Sequence, residues 1–406
     1  MKIAGDWLAH PGTVALCAAL QAAGHQALFV GGCVRNALLG AEVADIDIAT
    51  DATPPQVTDL AAAAGLRAVP TGFDHGTVTV VALGRAHEVT TFRRDIATDG
   101  RRATVAYSDR IEEDAARRDF TMNALYARPD GTVIDPLGGL PDLLARRVRF
   151  VGDPAARIAE DRLRILRFFR FHAWYGDPAA GMDPAALAAI AAQQEGLDQI
   201  SRERIGHEMR RLLAAPDPAP AVAAMQATGT LGRILPGAEP RALAPLVHLE
   251  QRVAGTGPAG RWLRRLAVLG GPDPTAALRL SRAEAAALAR LNAASALPPA
   301  EAAWRYGADV ATDAMLVMAA SLGADLPPGW QDAIAKGAAA RFPVAAADLM
   351  PGLQGAALGA ALQRLERAWI DSGFTLDRAR LLAAVPHPTP APAPHSPPPP
   401  SAPPRR

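Results

Sequence analysis

From Leu28 to about Phe150 the apolar positions fall in short runs separated by turn residues: "ALFVGG", "DIDIAT", "TVTVVAL", "HEVTTF", "TVIDP" and "RRVRFVG". Brief β-branched or alternating runs of this kind predict strands. Between them, Cys33–Leu39, Pro55–Ala64 and Ala115–Ala124 carry helical patterns. The order does not repeat as regular βαβ units, so residues 1–150 are expected to form an α+β head built on a short mixed sheet flanked by helices.

After about Asp153 the period changes. "AEDRLRILRFFRFHAWY", "SRERIGHEMRRLLAA" and "LSRAEAAALARLNAA" are rich in Ala, Leu and Arg at helical spacing, which predicts an all-α remainder. Residues 151–215 are expected to form a helical neck and 216–386 a helical body and tail, with Pro216–Pro220 as a joint because closely spaced prolines cannot continue a helix. From His387 the sequence "HPTPAPAPHSPPPPSAPPRR" is expected to be an extended, disordered tail, residues 387–406, with nothing to add to a core.

Composition changes this picture only at the margins. The 406 residues carry a net charge of +1, and nearly all the positive charge is arginine, with lysine only at Lys2 and Lys336. Balanced charge argues against a general polyanion binder, yet arginine's planar fork suits phosphate wherever it is clustered. Cys17 and Cys33 form neither a disulfide framework nor a CxxC spacing. There is no signal-peptide pattern and no apolar run long enough to span a bilayer, so a soluble, cytoplasmic protein is expected.

The candidate chemistry begins in "LFVGGCVRNALLGAEVADIDIAT". Asp45 and Asp47 at i and i+2 on a strand share one face, while Ile46 and Ile48 point into the core. Two close carboxylates need a cation between them, either an arginine or Mg²⁺, a hard ion that prefers oxygen ligands. An acidic strand edge would show the same spacing. Upstream, Gly31 and Gly32 allow a tight turn and close approach to a ligand, and Arg35 sits one turn into the helix that follows, where phosphate could be held. The segment is neither a P-loop nor GxGxxG.

Seven stretches then occur in order: "GGCVRNALLG…DIDIAT", "GFDHGTVTVV", "HEVTTFRRD", "RRDFTMNALY", "DPLGGLPDLLARRVRFVG", "RIAEDRLRILRFFRF" and "SRERIGHEM". Together, over roughly residues 28–215, they resemble the motifs of the bacterial class II tRNA nucleotidyltransferases, the CCA-adding enzymes, whose superfamily also holds the bacterial poly(A) polymerases. The resemblance implies a polymerase-β-like nucleotidyltransferase head and template-independent addition of CMP and AMP, from CTP and ATP, to the 3′ end of tRNA. By that resemblance Asp45 and Asp47 hold catalytic Mg²⁺, Glu88 is a candidate third carboxylate, and Gly31, Gly32 and Arg35 meet the triphosphate. Asn36 stands where the family usually has Asp, so an ionic role there is not carried over.

The same resemblance gives Arg118 to nucleotide phosphate, and Asp119 and Asn123 to the ribose. It gives Asp161 and Arg164, read as one face of one helix continued by Arg167 and Arg170, to the base. A carboxylate accepting from an exocyclic amino group and a guanidinium donating to a ring nitrogen would admit C and A and reject U and G. Arg93–Arg102, "RRDIATDGRR", reads as a mobile loop, and its presence in the family goes with complete CCA addition. Ser201 should start a helix in which Glu203, Arg204 and Glu208 give structural support. Two other readings remain: a poly(A) polymerase on the same head, and a non-catalytic RNA-binding adaptor, against which retention of both aspartates argues.

Overall fold

The computed structural model describes residues 1–72, 76–98, 103–253 and 261–384. His75 and the proline-rich segment from His387 lie outside them. The chain divides into two units, Met1–Ala289 with Leu316–Asp325, and Arg290–Met315 with the segment from Leu326 onward.

Among its described residues the first unit contains nine strands: β1 (Leu28–Val30), β2 (Asp47–Thr50), β3 (Arg67–Gly72), β4 (Thr77–Ala82), β5 (Arg85–Thr91), β6 (Arg93–Thr98), β7 (Ala103–Tyr107), β8 (Tyr126–Ala127) and β9 (Val133–Ile134). Seven form one sheet in the order β3-β4-β5-β2-β1-β8-β9. The β2–β5 pair is parallel and its neighbours are antiparallel, so the sheet is mixed, as the irregular strand order predicts. Ile48, Val78, Val80, Ala82 and Val89 are fully buried, and their period-2 spacing commits one face of the sheet to the core.

Its helices begin with α1 (Asp6–Ala9), α2 (Pro11–Ala22), α3 (Gly32–Leu38), α4 (Pro54–Ala63), α5 (Ile111–Ala116) and α6 (Leu140–Leu144). They continue with α7 (Pro154–Glu160), α8 (Arg164–Tyr175), α9 (Pro184–Gln193), α10 (Arg202–Leu213) and α11 (Ala219–Ala227), followed by further helices. Helices α2 and α4 pack on β4 and β5. Helix α8 is fastened to the head by aromatic rings: Phe120 lies 5.0 Å from Phe150 and 4.9 Å from Phe171, and Phe150 stacks on Phe168 at 5.6 Å. Ser201 caps helix α10, its side chain accepting from the Arg204 amide, and Ile205, Met209 and Leu212 of the helix are buried. It lies against α8, and the buried pair Arg170 Nε to Glu208 Oε2, at 2.6 Å, joins the two.

In the second unit, Trp369 on the helix Gly355–Asp371 centres an apolar cluster, with its ring 5.5 Å from Trp304, 5.4 Å from Phe342 and 4.8 Å from Phe374. Glu301, 3% exposed, accepts from Arg305 at 2.9 Å and Arg367 at 2.7 Å, so its buried charge is paired. Among the described residues no helix is long and apolar enough to cross a membrane.

Four sequence expectations are corrected. Arg93–Arg102 is not simply a loop: β6 and β7 pair as an antiparallel hairpin, Arg94 opposite Ala106, and residues 99–102 lie outside the described part. "RRVRFVG" forms no strand; Phe150 makes an isolated bridge to Phe120. The helix expected over Ala115–Ala124 stops at Ala116, because Phe120 is extended to make that bridge, and only Thr121–Asn123 turns again, as a 3-10 helix. The long helix expected through Asp161 breaks there, where the backbone is extended (φ −149°, ψ 108°), so Asp161 and Arg164 do not share one helix.

Candidate active site

Strand β1 runs into α3 through Gly31, whose φ of 70° lies in the region that favours glycine. A Cβ there would stand 3.4 Å from the Arg118 guanidinium, so the turn also leaves room for a cation beside it. Across the sheet, β2 begins at Asp47. Ile46 and Ile48, 3% and 0% exposed, anchor the alternation that turns Asp45 and Asp47 outward.

In the parallel register Asp47 stands opposite Glu88 of β5. Burial, and then the Glu88 and Asp45 charges, push the Asp47 carboxyl up to about 6, against the opposing pull of Arg118 and Arg35. Among the described residues no group of three or more His, Cys, Asp or Glu side chains forms a closed metal site. Two carboxylates on one strand face, lining open space, suit a hard divalent cation that keeps room for water and phosphate oxygens.

Both aspartates line a cavity of about 360 Å³, together with Gly31, Gly32, Arg35, Arg118, Asp119, Asn123, Arg167 and Arg170. The far wall is cationic and hydrogen-bonded throughout. Arg35 donates to Asn123 Oδ1 at 2.6 Å and to the Tyr175 hydroxyl at 2.9 Å, and its guanidinium lies 4.0 Å from the Tyr175 ring centre. Asn36 Oδ1 accepts from Arg35 Nε at 3.1 Å, while its amide donates to the Glu42 carbonyl at 2.8 Å. The uncharged side chain thus positions Arg35 and ties it to the segment leading to Asp45.

Arg118 donates to Asp114 at 2.9 Å and to the Tyr126 hydroxyl at 3.1 Å, and that hydroxyl donates to Asp114 at 2.7 Å. Burial would lower the Arg118 guanidinium; Tyr126 and Asp114 outweigh it and raise it, so it stays charged. Asp119 accepts from Arg167 Nε at 2.8 Å and Asn123 Nδ2 at 3.0 Å. Burial would raise its carboxyl, but Arg167, Asn123 and the Phe120 amide hold it below the usual range.

Three expected site residues are not in this cavity wall. Glu88 is exposed beside Asp47 on the neighbouring strand. Asp161, at the end of α7, accepts from the Leu163 amide at 3.0 Å and pairs with Arg204 at 3.2 Å. Arg164 opens α8, pairing with Glu160 and donating to the Arg157 carbonyl at 3.0 Å. Glu160 lines a second cavity of about 310 Å³ with Arg94, Glu113, Arg117 and Arg157.

Other residues were missed from the sequence. Phe171 and Tyr175 follow Arg167 at four-residue steps on α8, a spacing that signals one shared face, and both line the cavity. Arg211 reaches the same cavity from α10. Asp114, which holds Arg118, stands four residues before it, the spacing of an acid–base pair along one turn.

Two family descriptions match the chain, "Poly A polymerase head domain" over residues 27–149 and "Probable RNA and SrmB- binding site of polymerase A" over residues 181–241. The chain is 43% identical over 190 residues to the human mitochondrial CCA tRNA nucleotidyltransferase 1, covering 47% of this chain and 44% of that protein. It is 40% identical over 246 residues to the CCA-adding enzyme of Geobacillus thermodenitrificans, covering 60% of this chain and 54% of that one. The matches thus span about half the length of these curated relatives. The solved Bacillus stearothermophilus CCA-adding enzyme in complex with CTP is 30% identical, with a TM-score of 0.68 over 89% of this chain and 92% of that one. The chain belongs to the CCA-adding enzyme family. The Thermotoga maritima CCA-adding enzyme complexed with tRNA, at 17% identity and a TM-score of 0.66, shares the fold. Enzymes with this nucleotidyltransferase head generally use a divalent metal.

Proposed function

We propose that this chain adds CMP and AMP, from CTP and ATP, to the 3′ end of tRNA, releasing pyrophosphate. The observation that carries this reading is one cavity in which Asp45 and Asp47 face Arg35, Arg118, Arg167 and Arg170. Paired carboxylates and a wall of fixed guanidiniums match a reaction in which a hydroxyl attacks a polyphosphate. The relatives named for CCA addition, and the solved relative holding CTP, support the substrate class.

In this mechanism Arg35 and Arg118 bind triphosphate oxygens, each aimed by the hydrogen bonds that hold it. Asp119 and Asn123 hold the ribose, with Asp119 sharing its carboxylate with Arg167. Mg²⁺, held by Asp45 and Asp47, would neutralise charge at the phosphates and lower the pKa of the attacking hydroxyl. Glu88 supports that pair from the adjacent strand. Asp161 and Arg164 read the base, which requires Asp161 to exchange its bond to Arg204 for one to the nucleotide. No covalent enzyme intermediate is needed; fixed charge and positioning supply the catalysis. We place the protein in the cytoplasm, in keeping with its two buried free thiols.

The test supplies purified protein with tRNA lacking its 3′ end and with CTP and ATP, separately and together. Addition that proceeds C then A and stops at three nucleotides is expected, with none by Asp45→Ala or Asp47→Ala at unchanged melting temperature. An unbounded A tail identifies a poly(A) polymerase, and tRNA binding without incorporation identifies an adaptor.

A further inference from the structure

Trp174 is 43% exposed near the end of a helix whose other large residues are mostly covered. It lies seven residues after Arg167 and four after Arg170, which places it on the α8 face that lines the cavity. Its neighbour Tyr175 and, across from it, Arg211 of α10 both line the cavity. The indole is not loose: its Nε1–H donates to the Arg211 carbonyl at 2.8 Å. With the donor satisfied, the ring holds one orientation and leaves an apolar face in water at the rim of a charged site.

We infer that Trp174 is the stacking platform for the base of the 3′-terminal nucleotide of the RNA acceptor, with Arg211, Arg170 and Arg167 beside it for that strand's phosphates. A flat aromatic face next to guanidiniums matches a nucleotide, which pairs a π-surface with negative charge, and base stacking on such faces tolerates every sequence. The occupant is the acceptor and not the incoming nucleotide. The base of the latter is assigned to Arg164, ten residues away and thus about 15 Å along the helix axis at ~1.5 Å per residue. The two bases would then approach from opposite ends of α8, with Asp45 and Asp47 facing the stretch between. This inference rests on the transfer reaction proposed above.

Two measurements on the full chain separate its failure from failure of that reaction. The first is binding of a tRNA-acceptor minihelix with 2-aminopurine as its 3′-terminal base, followed by quenching. The second is steady-state incorporation of C with the acceptor and CTP varied in turn. Trp174→Ala and Trp174→Leu are expected to weaken minihelix binding and raise the acceptor KM roughly tenfold, leaving the KM for CTP within about twofold, whereas Trp174→Phe retains most of the affinity. An acceptor whose 3′-terminal nucleotide is abasic should bind wild type and Trp174→Ala alike. Unchanged binding by Trp174→Ala, equal losses with the abasic acceptor, or a KM effect on CTP in place of the acceptor each overturns the assignment. If wild type incorporates nothing, the transfer reading fails while the quenching result still decides Trp174.

Discussion

Asp114 offers the sharpest test of how the cavity wall is built. It is 1% exposed and takes the Arg118 guanidinium at 2.9 Å and the Tyr126 hydroxyl at 2.7 Å. Arg118 and Tyr126 share Oδ2, so Asp114→Asn keeps the shape and can keep an oxygen there, but its NH2 then meets the Arg93 amide at the Oδ1 position and the guanidinium loses its counter-charge. Removing one partner of a fully buried ion pair costs about 3–5 kcal/mol. Because the Arg118 side chain is 21% exposed and water recovers part of the loss, about 2 kcal/mol is the expected destabilisation. For the unit Met1–Ala289 with Leu316–Asp325 that lowers Tm by roughly 3 °C. Calorimetry of both proteins between neutral pH and pH 3 measures it. Burial opposes ionisation of Asp114, but Arg118 and Tyr126 outweigh it and hold the folded-state carboxyl below its ordinary value. Its stabilisation is therefore complete above the ordinary carboxylate range and is lost as pH falls through the lowered folded value. The gap between wild type and variant should close in acid. The KM for CTP should rise in parallel, since Arg118 loses its aim. A variant that melts within 1 °C of wild type at neutral pH, with an unchanged KM, would refute the reasoning.

Three further outcomes follow from the same structure. Burial raises the Cys33 thiol to about 11 and the Cys17 thiol to about 12, so neither should react with an aromatic disulfide reagent at neutral pH until the protein is unfolded, when both should titrate. Gly206→Ala would drive a methyl group onto the Leu278 carbonyl, and a loss of about 1–3 kcal/mol or more is expected in urea unfolding. Glu208→Ala strands the buried Arg170 guanidinium; about 3–5 kcal/mol of stability should be lost, and Glu208→Gln should lose less because it keeps one acceptor.

The first half of the site was legible because its signals are local. Gly31, Gly32, Arg35, Asp45 and Asp47 sit in one short stretch, and the alternation that buries Ile46 and Ile48 also fixes where the aspartates point. The wall opposite was legible by residue but not by backbone. Arg118, Asp119 and Asn123 read as a helix because nothing in their spacing announces that Phe120 must extend to meet Phe150, a partner thirty residues on. The break at Asp161 is hidden in the same way, since flanking segments carry helical periodicity through it. The β6–β7 hairpin escaped notice because β6, "RRDIAT", is charged and lacks the apolar alternation that marks a buried strand, and its partner "ATVAY" is short. Arg211 lies far from the other cavity residues in sequence, whereas spacing recovers Tyr175, and Asp114 stands four residues before Arg118, an interval that was there to be read.

The parallel register of β2 against β5 has a consequence for folding itself. Asp47 faces Glu88 and Ile48 faces Val89, so a slip by one position would turn the carboxylates into the core and the isoleucines into the cavity. Burying two unpaired charges makes that slip costly, and in the mechanism proposed above losing the aspartates makes it inert. Turnover would therefore act as a readout of strand pairing: every active molecule in a refolding mixture has its central strands in the native register, and activity recovered over time would count correctly paired sheets one by one.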